Sequence, residues 1–484
     1  MRPTSFLTIV LLSLLAPLSA DALEPPSPID IGSRLELFVD DELLDRLSQG
    51  ARRKLNRPTP REVVFVSDRS WEGNILFHVT IFRDEDRYRM YYRGQHFDEA
   101  KRKVSEHKVI CYAESDDAVR WQRPELGIHE FNGSTANNII LDCKSGAARN
   151  GAFAVFKDEN PRCPPESKYK ALALHRENGN GLYAFHSKDA IHWSLMHDRP
   201  VITEGAFDSH NLAFWDGERG EYRDYHRYFS AGIRDILTAT STNFVEWTEP
   251  EPLKYPGAPS EHLYTNSIIP YARAPHICVG FPKRLIPGRA PLKPHPNPGV
   301  SDGVFMSSRD RVEFSRWSEA FIRPGPQTDS WVNRNVFTAW GIIETASSIQ
   351  GAPNELSIYT TEGYYSGAST RLRRNTLRID GFVSIDAPLT GGEVLTKPIV
   401  FKGDNLVLNF DTSAVGSVRV EIQDPAGKPL SGRALGDCPE IYGDFIEHVV
   451  RWEDGANVSS LAGRPVRLRF VLHDADLYSF RFRA

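Results

Sequence analysis

Beyond its first residues the chain alternates short apolar runs with polar turns and shows almost no helical period. WEGNILFHVTIFRD is followed by RYRMYYRG, NGAFAVFKD by KYKALALHR, DSHNLAFWD by EYRDYHRYF, and EHLYTNSIIPY by HICVGFPKRL. Each couple reads as two adjacent strands. A third strand-like run then leads into a repeated heptad: SDDAVRW from Ser115, SKDAIHW from Ser187, STNFVEW from Ser241 and SRDRVEF from Ser308. Ser stands first, Asp or Asn third, Val or Ile fifth, and in three of the four a Trp is seventh. Ser and Asp or Asn side chains accept from nearby backbone N–H groups and tighten a turn. Each heptad therefore reads as a hairpin with a fixed turn.

A fifth unit, NRNVFTAWGII with NELSIYTTEGYY, has the strands without the turn. Five units of about four strands, too long and irregular for forty-odd-residue repeats, predict an all-β chain with a five-bladed β-propeller over residues 34–380. RLELFV, before a helix-like DELLDRL capped by Asp40 or Asp41, is expected to close the ring against the last blade. After about residue 380 come VLTKPIVF, NLVLNF, VRVEIQD, EHVVRW, VRLRFVLHD and LYSFRFR, separated by Gly, Pro and Asp. They predict a C-terminal β-sandwich over 381–484, with Asp404, Asp411 and Asp437 as turn residues.

Composition narrows the setting. Residues 1–22 hold one Arg, an apolar run and small residues at Ala20 and Ala22, the pattern of a signal peptide. A secreted or periplasmic chain follows, with no later run long enough to span a membrane. With 58 basic and 63 acidic residues the net charge is −5. Such a balance gives no footprint for nucleic acid or an anionic membrane and suits a carbohydrate partner. Five scattered cysteines leave room for one bridge, Cys143 to Cys163, and show no metal spacing. No cofactor fingerprint, serine-nucleophile elbow or phosphate loop is present, so neither a cofactor nor a metal is expected.

In a propeller the first strands of the blades share a direction, so their starts converge at one mouth. The residues there are Trp71, Glu72 and Asn74; Arg149 and Asn150; Asp208, His210 and Asn211; Glu261, His262, Tyr264 and Asn266; and Arg334 and Asn335. Three carboxylates, Glu72, Asp208 and Glu261, are the inventory of glycoside hydrolysis: a proton donor for the leaving oxygen, a base or nucleophile, and a tuning group. The amides, His210, His262, Tyr264, Arg334 and the indole of Trp71 would bind sugar, with Trp331 and Trp340 at the rim.

Frame, turns, first-strand acids and C-terminal sandwich together resemble the five-bladed β-propeller glycoside hydrolases of families thirty-two and forty-three, in a secreted bacterial form. The resemblance implies an Asp on blade one, an Asp on blade two and a Glu acid further on. Glu72 would fill the first role and Glu261 the last, whereas blade two offers Asn150 and Asp208 comes from blade three. Two other readings are a non-catalytic glycan-binding propeller and a sialidase-like enzyme, for which Arg149, Arg273 and Arg334 would be the arginines.

Overall fold

The structure, a computed structural model, describes residues 27–145, 148, 151–175 and 180–484. The expected signal peptide, Arg149 and Asn150 lie outside the described residues. Among these the chain is all-β, with only short 3-10 turns besides strands, and no helix is long and apolar enough to cross a membrane.

Four four-stranded antiparallel sheets follow one another along the chain. The first comprises Ile75–Asp84, Arg87–Asp98, Lys103–Ser115 and Ile139–Asp142; the second Phe153–Lys157, Tyr169–His175, Gly181–Ser187 and Ser194–Leu195. Leu212–Asp216, Glu221–Ser230, Ile233–Ser241 and Glu251–Pro252 form the third, and Ile269–Tyr271, Ala274–Gly280, Met306–Ser308 and Ser315–Arg316 the fourth. In each sheet, strand order is chain order, as short turns between neighbours require.

A fifth sheet combines Phe337–Thr338 and Ile343–Thr345 with Glu355–Glu362 and Arg371–Arg378, and its outer strand is Thr59–Val66. The missing turn of the fifth unit is thus explained: its last strand comes from the other end of the chain. RLELFV does not close this sheet, as expected above. Glu36–Leu37 pairs instead with Ser479 and Phe480 of the C-terminal strand. DELLDRL is no helix either; Leu44–Ser48 is a strand paired with Gly392–Thr396, and Asp40 caps a turn at the Glu42 amide while pairing with Arg309. Its Leu44 and Leu47 pack on the C-terminal apolar cluster, which overrides their helix propensity.

HICVGFPKRL divides at Phe281–Pro282. Its first half belongs to the fourth sheet, and Lys283–Ile286 joins His262–Leu263 and Val300–Gly303 in a separate three-stranded sheet. In the C-terminal region, runs separated in the sequence merge into strands of 19 and 17 residues, Asn405–Gln423 and Arg467–Arg483, within an eight-stranded sheet that also takes in strands from residues 36–55.

The four heptads build one turn. In the first, Ser115 Oγ accepts from the amides of Asp117 (3.2 Å) and Ala118 (2.9 Å), and Asp117 Oδ1 from those of Val119 (2.9 Å) and Arg120 (2.7 Å). The same pattern recurs at Ser187, Ser241 and Ser308. The fourth residue takes a positive φ each time, from 59° at Ala118 to 78° at Arg311, and is buried.

Its carbonyl then receives a tyrosine from the neighbouring sheet. Tyr359 of the fifth sheet donates to Ala118 (2.8 Å), Tyr91 of the first to Ala190 (3.0 Å), and Tyr225 of the third to Arg311 (2.9 Å). Leu172 stands at the corresponding place in the second sheet and packs with Phe244 in one apolar cluster. The turns therefore fasten sheet to sheet as well as strand to strand.

First and fifth sheets also meet through backbone. Ile81 N donates to Trp340 O and Trp340 N to Val79 O, both at 2.8 Å. Gly341 permits this approach, since a Cβ there would lie 1.9 Å from the Ile81 carbonyl oxygen. All five cysteines are free thiols. Cys143 is buried in a core and Cys163 lies beside Lys170, so the bridge between them does not form.

Candidate functional site

The polar entry to the third sheet, Asp208 to Asn211, is a tight turn with a defined job. Asn211 Nδ2 donates to the carbonyls of Phe207 (2.9 Å) and Ser209 (3.1 Å), and Ser209 Oγ to the carbonyl of Tyr264 (2.9 Å). Asp208 is left exposed on the outside of the turn, and His210 points inward.

His78 arrives from the first sheet through a β-bulge. Phe77 pairs with Arg93 and Thr80 with Tyr91, so His78 and Val79 together oppose Tyr92, and His78 has φ 50°. The two imidazoles lie 5.4 Å apart, and His210 Nε2 is 3.2 Å from Thr80 Oγ1 with its ring edge-on to Trp340. Burial pushes His210 down to about 3. Burial, reinforced by the positive charge of Arg93, holds His78 well below the usual histidine range. Both rings are therefore neutral hydrogen-bonding groups at ordinary pH. Thr80 and Trp340 also line a cavity of about 580 Å³ at the far ends of the first strands of the sheets, with Phe82, Phe156, Trp215 and Pro270 among its walls.

On the entry side stands Tyr264, buried, with Arg227, Arg234, Lys283 and Arg334 at 5.1, 5.2, 4.7 and 5.9 Å from its ring centroid. Lys283 also faces the Phe337 ring, and Arg334 the rings of Tyr364 and Tyr365. Burial, then the charges of Arg334 and Arg234, drive Lys283 well below the ordinary lysine value. Arg234 is lowered for the same two kinds of reason, burial first and then Arg227 and Arg334. Arg334 reaches the cluster from a backbone at φ 63°, a conformation that disfavours a side chain.

The residues expected to form the mouth separate into two groups. Asp208, His210, Tyr264 and Arg334 gather here with His262, whose Nδ1 accepts from Arg234 N at 3.2 Å. Glu72 does not join them. It is fully buried, bound by Arg123 through both oxygens (2.7 and 3.0 Å) and by the Tyr92 hydroxyl. Glu261 is held by Arg316 (2.5 Å) and Arg284 (3.1 Å) and sits beside the three-stranded sheet, not at the start of Ile269–Tyr271. Carboxylates with both oxygens on guanidinium groups anchor those groups.

Asn74 pins Phe97 and the Gly367 carbonyl, Asn266 bonds the Tyr225 carbonyl, and Asn335 the Ser330 carbonyl. Trp71 donates to Asn138 and lines a side cavity of about 330 Å³ with Gln95, His107 and Phe131. Of the arginines weighed for a sialidase-like site, Arg273 is paired with Asp380, Arg334 lies in the cluster, and Arg149 lies outside the described residues. Arg227, Arg234, Lys283 and His78 were missed. Each sits within an ordinary strand pattern, and only the unusual His inside the apolar run ILFHVTIF gave a hint. Among the described residues no group of three or more His, Cys, Asp or Glu is placed to hold a metal ion.

No protein-family model and no curated protein matches this sequence. Solved structures similar to it include an N-acetylgalactosamine deacetylase from F. plautii in complex with blood group B trisaccharide (13% identity, 67% of this chain and 96% of that one, TM-score 0.45). Two others are an endo-arabinase from Bacteroides thetaiotaomicron VPI-5482 (10%, 67% and 98%, 0.41) and the catalytic domain of a Coprinopsis cinerea α-L-arabinofuranosidase (9%, 66% and 97%, 0.39). At these identities and scores the likeness fixes neither an activity nor a substrate.

Proposed function

We propose that this chain is an exported glycoside hydrolase whose five successive sheets are the blades of a propeller closed by Thr59–Val66. The eight-stranded sheet is then part of a β-sandwich to which residues 36–55 contribute. Strand order equal to chain order within the first four sheets, the tyrosine-to-turn contacts and the first-to-fifth backbone contact support the ring. The observation that carries the function is Asp208. It is exposed, stands on the turn into an inner strand, and has no cation within ion-pair distance among the described residues, whereas Glu72 and Glu261 are each held by arginines.

In this reading the exposed Asp208 carboxylate takes a proton from the water that attacks the anomeric carbon, the glycosidic C–O bond breaks, and the departing oxygen is protonated from solvent. Neutral His210 and His78 form the floor beneath the sugar, and Tyr264 walls one side. Glu72 and Glu261 keep their arginines in place. The same arginine-bound acids favour a second reading, a glycan-binding module that cleaves nothing.

The test is release of reducing ends from a panel of plant and algal polysaccharides by the wild type and by Asp208→Asn. A loss of ~10²-fold or more in the variant, with an unchanged melting temperature, supports hydrolysis through Asp208. Binding without cleavage by the wild type selects the module, and cleavage unchanged in the variant removes Asp208 from the chemistry.

A further inference from the structure

We infer that the mouth recognises a sugar carrying an acidic group, a carboxylate or a sulfate, seated beside Tyr264 among Arg227, Arg234, Lys283 and Arg334. This rests on the glycan reading of the mouth and adds the chemical class of its ligand.

The first support is positive charge with no ion-pair partner, the acids Asp208 near Arg234 and Asp302 near Lys283 acting only from beyond ion-pair distance. All four cations lie within 5.9 Å of one ring centroid, so no two of their charged groups are more than about 11 Å apart. Among the described residues none of the four has a carboxylate within 4.0 Å. Three buried cations elsewhere in the chain are paired: Arg311 with Asp216 (2.6 Å), Arg316 with Glu261 (2.5 Å) and Arg374 with Glu62 (2.9 Å). Like charges brought together out of water raise each other's free energy unless an anion joins them.

Polar partners inside the protein are few as well. Lys283, fully buried, has one acceptor, Asn333 Oδ1, at 3.4 Å. Arg227 Nε donates to the Ala206 carbonyl at 3.1 Å. Arg234 Nη1 lies 3.4 Å from His262 Nδ1, and its Nε is buried with no partner. Donors in this number, poorly matched within the chain, suit the oxygens of a carboxylate or sulfate. Arg234 and Arg334 are partly exposed, which leaves the cluster open on one side. The positive φ of Arg334 is a backbone cost sustained at the place where its side chain meets three tyrosine rings. The neutral imidazoles of His78 and His210 contribute no balancing charge.

The experiment is titration calorimetry at fixed ionic strength with oligogalacturonate, a sulfated dextran oligosaccharide and neutral dextran oligosaccharide. It is run on the wild type, Arg234→Gln and Arg334→Gln, with thermal melts in inorganic sulfate alongside. At least one acidic probe should bind ten-fold or more tighter than neutral dextran, and the arm that does so separates carboxylate from sulfate. Each variant should lose ten-fold or more for that probe. Without ligand it should melt no lower than the wild type, which a structural arginine would not allow.

Variants that bind acidic probes like the wild type overturn the inference. So does a preference for the neutral sugar, which would leave the glycan reading standing. Stabilisation by bare sulfate that both variants abolish, with no added affinity from any sugar, supports the anion site and removes the glycan. Absence of binding by all three oligosaccharides and by sulfate removes both.

Discussion

Arg311 and Lys283 are both cations with no exposed surface, and the protein treats them in opposite ways. Arg311 gives Nε and Nη2 to Asp216 (2.6 and 3.2 Å) and its remaining N–H groups to the carbonyls of His276, Arg309 and Pro275, and its basicity is raised. Lys283 has a single long contact and three cationic neighbours around Tyr264, and its basicity is depressed. Arg311 joins the third sheet to the fourth. Nothing comparable is joined by Lys283. Buried charge in this chain is thus of two kinds: one completed by the fold, and one that the fold leaves for something else to complete.

The difference is largest in stability. Asp216→Ala strands Arg311 in the core and should cost about 3–5 kcal/mol in urea denaturation. A loss below ~1 kcal/mol would place Asp216 and Arg311 in the same class as the mouth.

Acid titration next separates a mouth group that burial keeps neutral from a buried charge completed by the fold. His210, with its folded value near 3 against 6.5, stays neutral while the unfolded chain takes up a proton. Stability should therefore fall as pH drops from 6.5 towards 3, and His210→Gln should flatten that slope. Glu36 is held down to about 2 by hydrogen bonding to His276 and the charge of Arg309, which together outweigh its burial. Its contribution is present above 4.5 and lost between 4.5 and about 2, and Glu36→Gln should flatten only that lower window. Equilibrium denaturation across pH 2–8 reads both, and a single shared window would contradict the distinction.

Smaller still is the sheet-to-turn contact. Tyr225→Phe removes one buried donor to the Arg311 carbonyl and should cost about 1 kcal/mol. Lys283→Met should cost nothing and stabilise by up to about 1 kcal/mol, since it removes an unpaired buried charge while keeping its stem. A loss larger than that of Tyr225→Phe would mean that Lys283 is structural.

The parts of the fold written locally were legible. Alternation and the four heptads are interactions between residues a few positions apart, and the turns they predicted form hydrogen bond by hydrogen bond. What escaped depends on pairings across hundreds of residues. Thr59–Val66 and Glu36–Leu37 have equal claim to close a sheet, and only the partners Arg371–Arg378 and Ser479–Phe480 assign them. The mouth followed the same rule. Asp208, His210, Tyr264 and Arg334 could be grouped in advance because they precede the first strands of their sheets. Glu261 was displaced because a three-stranded insertion separates it from Ile269–Tyr271. Arg227, Arg234 and Lys283 belong to second strands, hairpin ends and that insertion, where a lone basic residue is indistinguishable from a surface one until its neighbours are known.

The central claim, that the charge at the mouth is completed by a ligand, is tested most directly by anomalous diffraction from a crystal of the protein soaked in selenate. The account predicts a selenium peak within hydrogen-bond distance of the Arg234 and Arg334 guanidinium groups, beside the Tyr264 ring. Ordered selenate elsewhere on the surface with no peak at Tyr264 would contradict it.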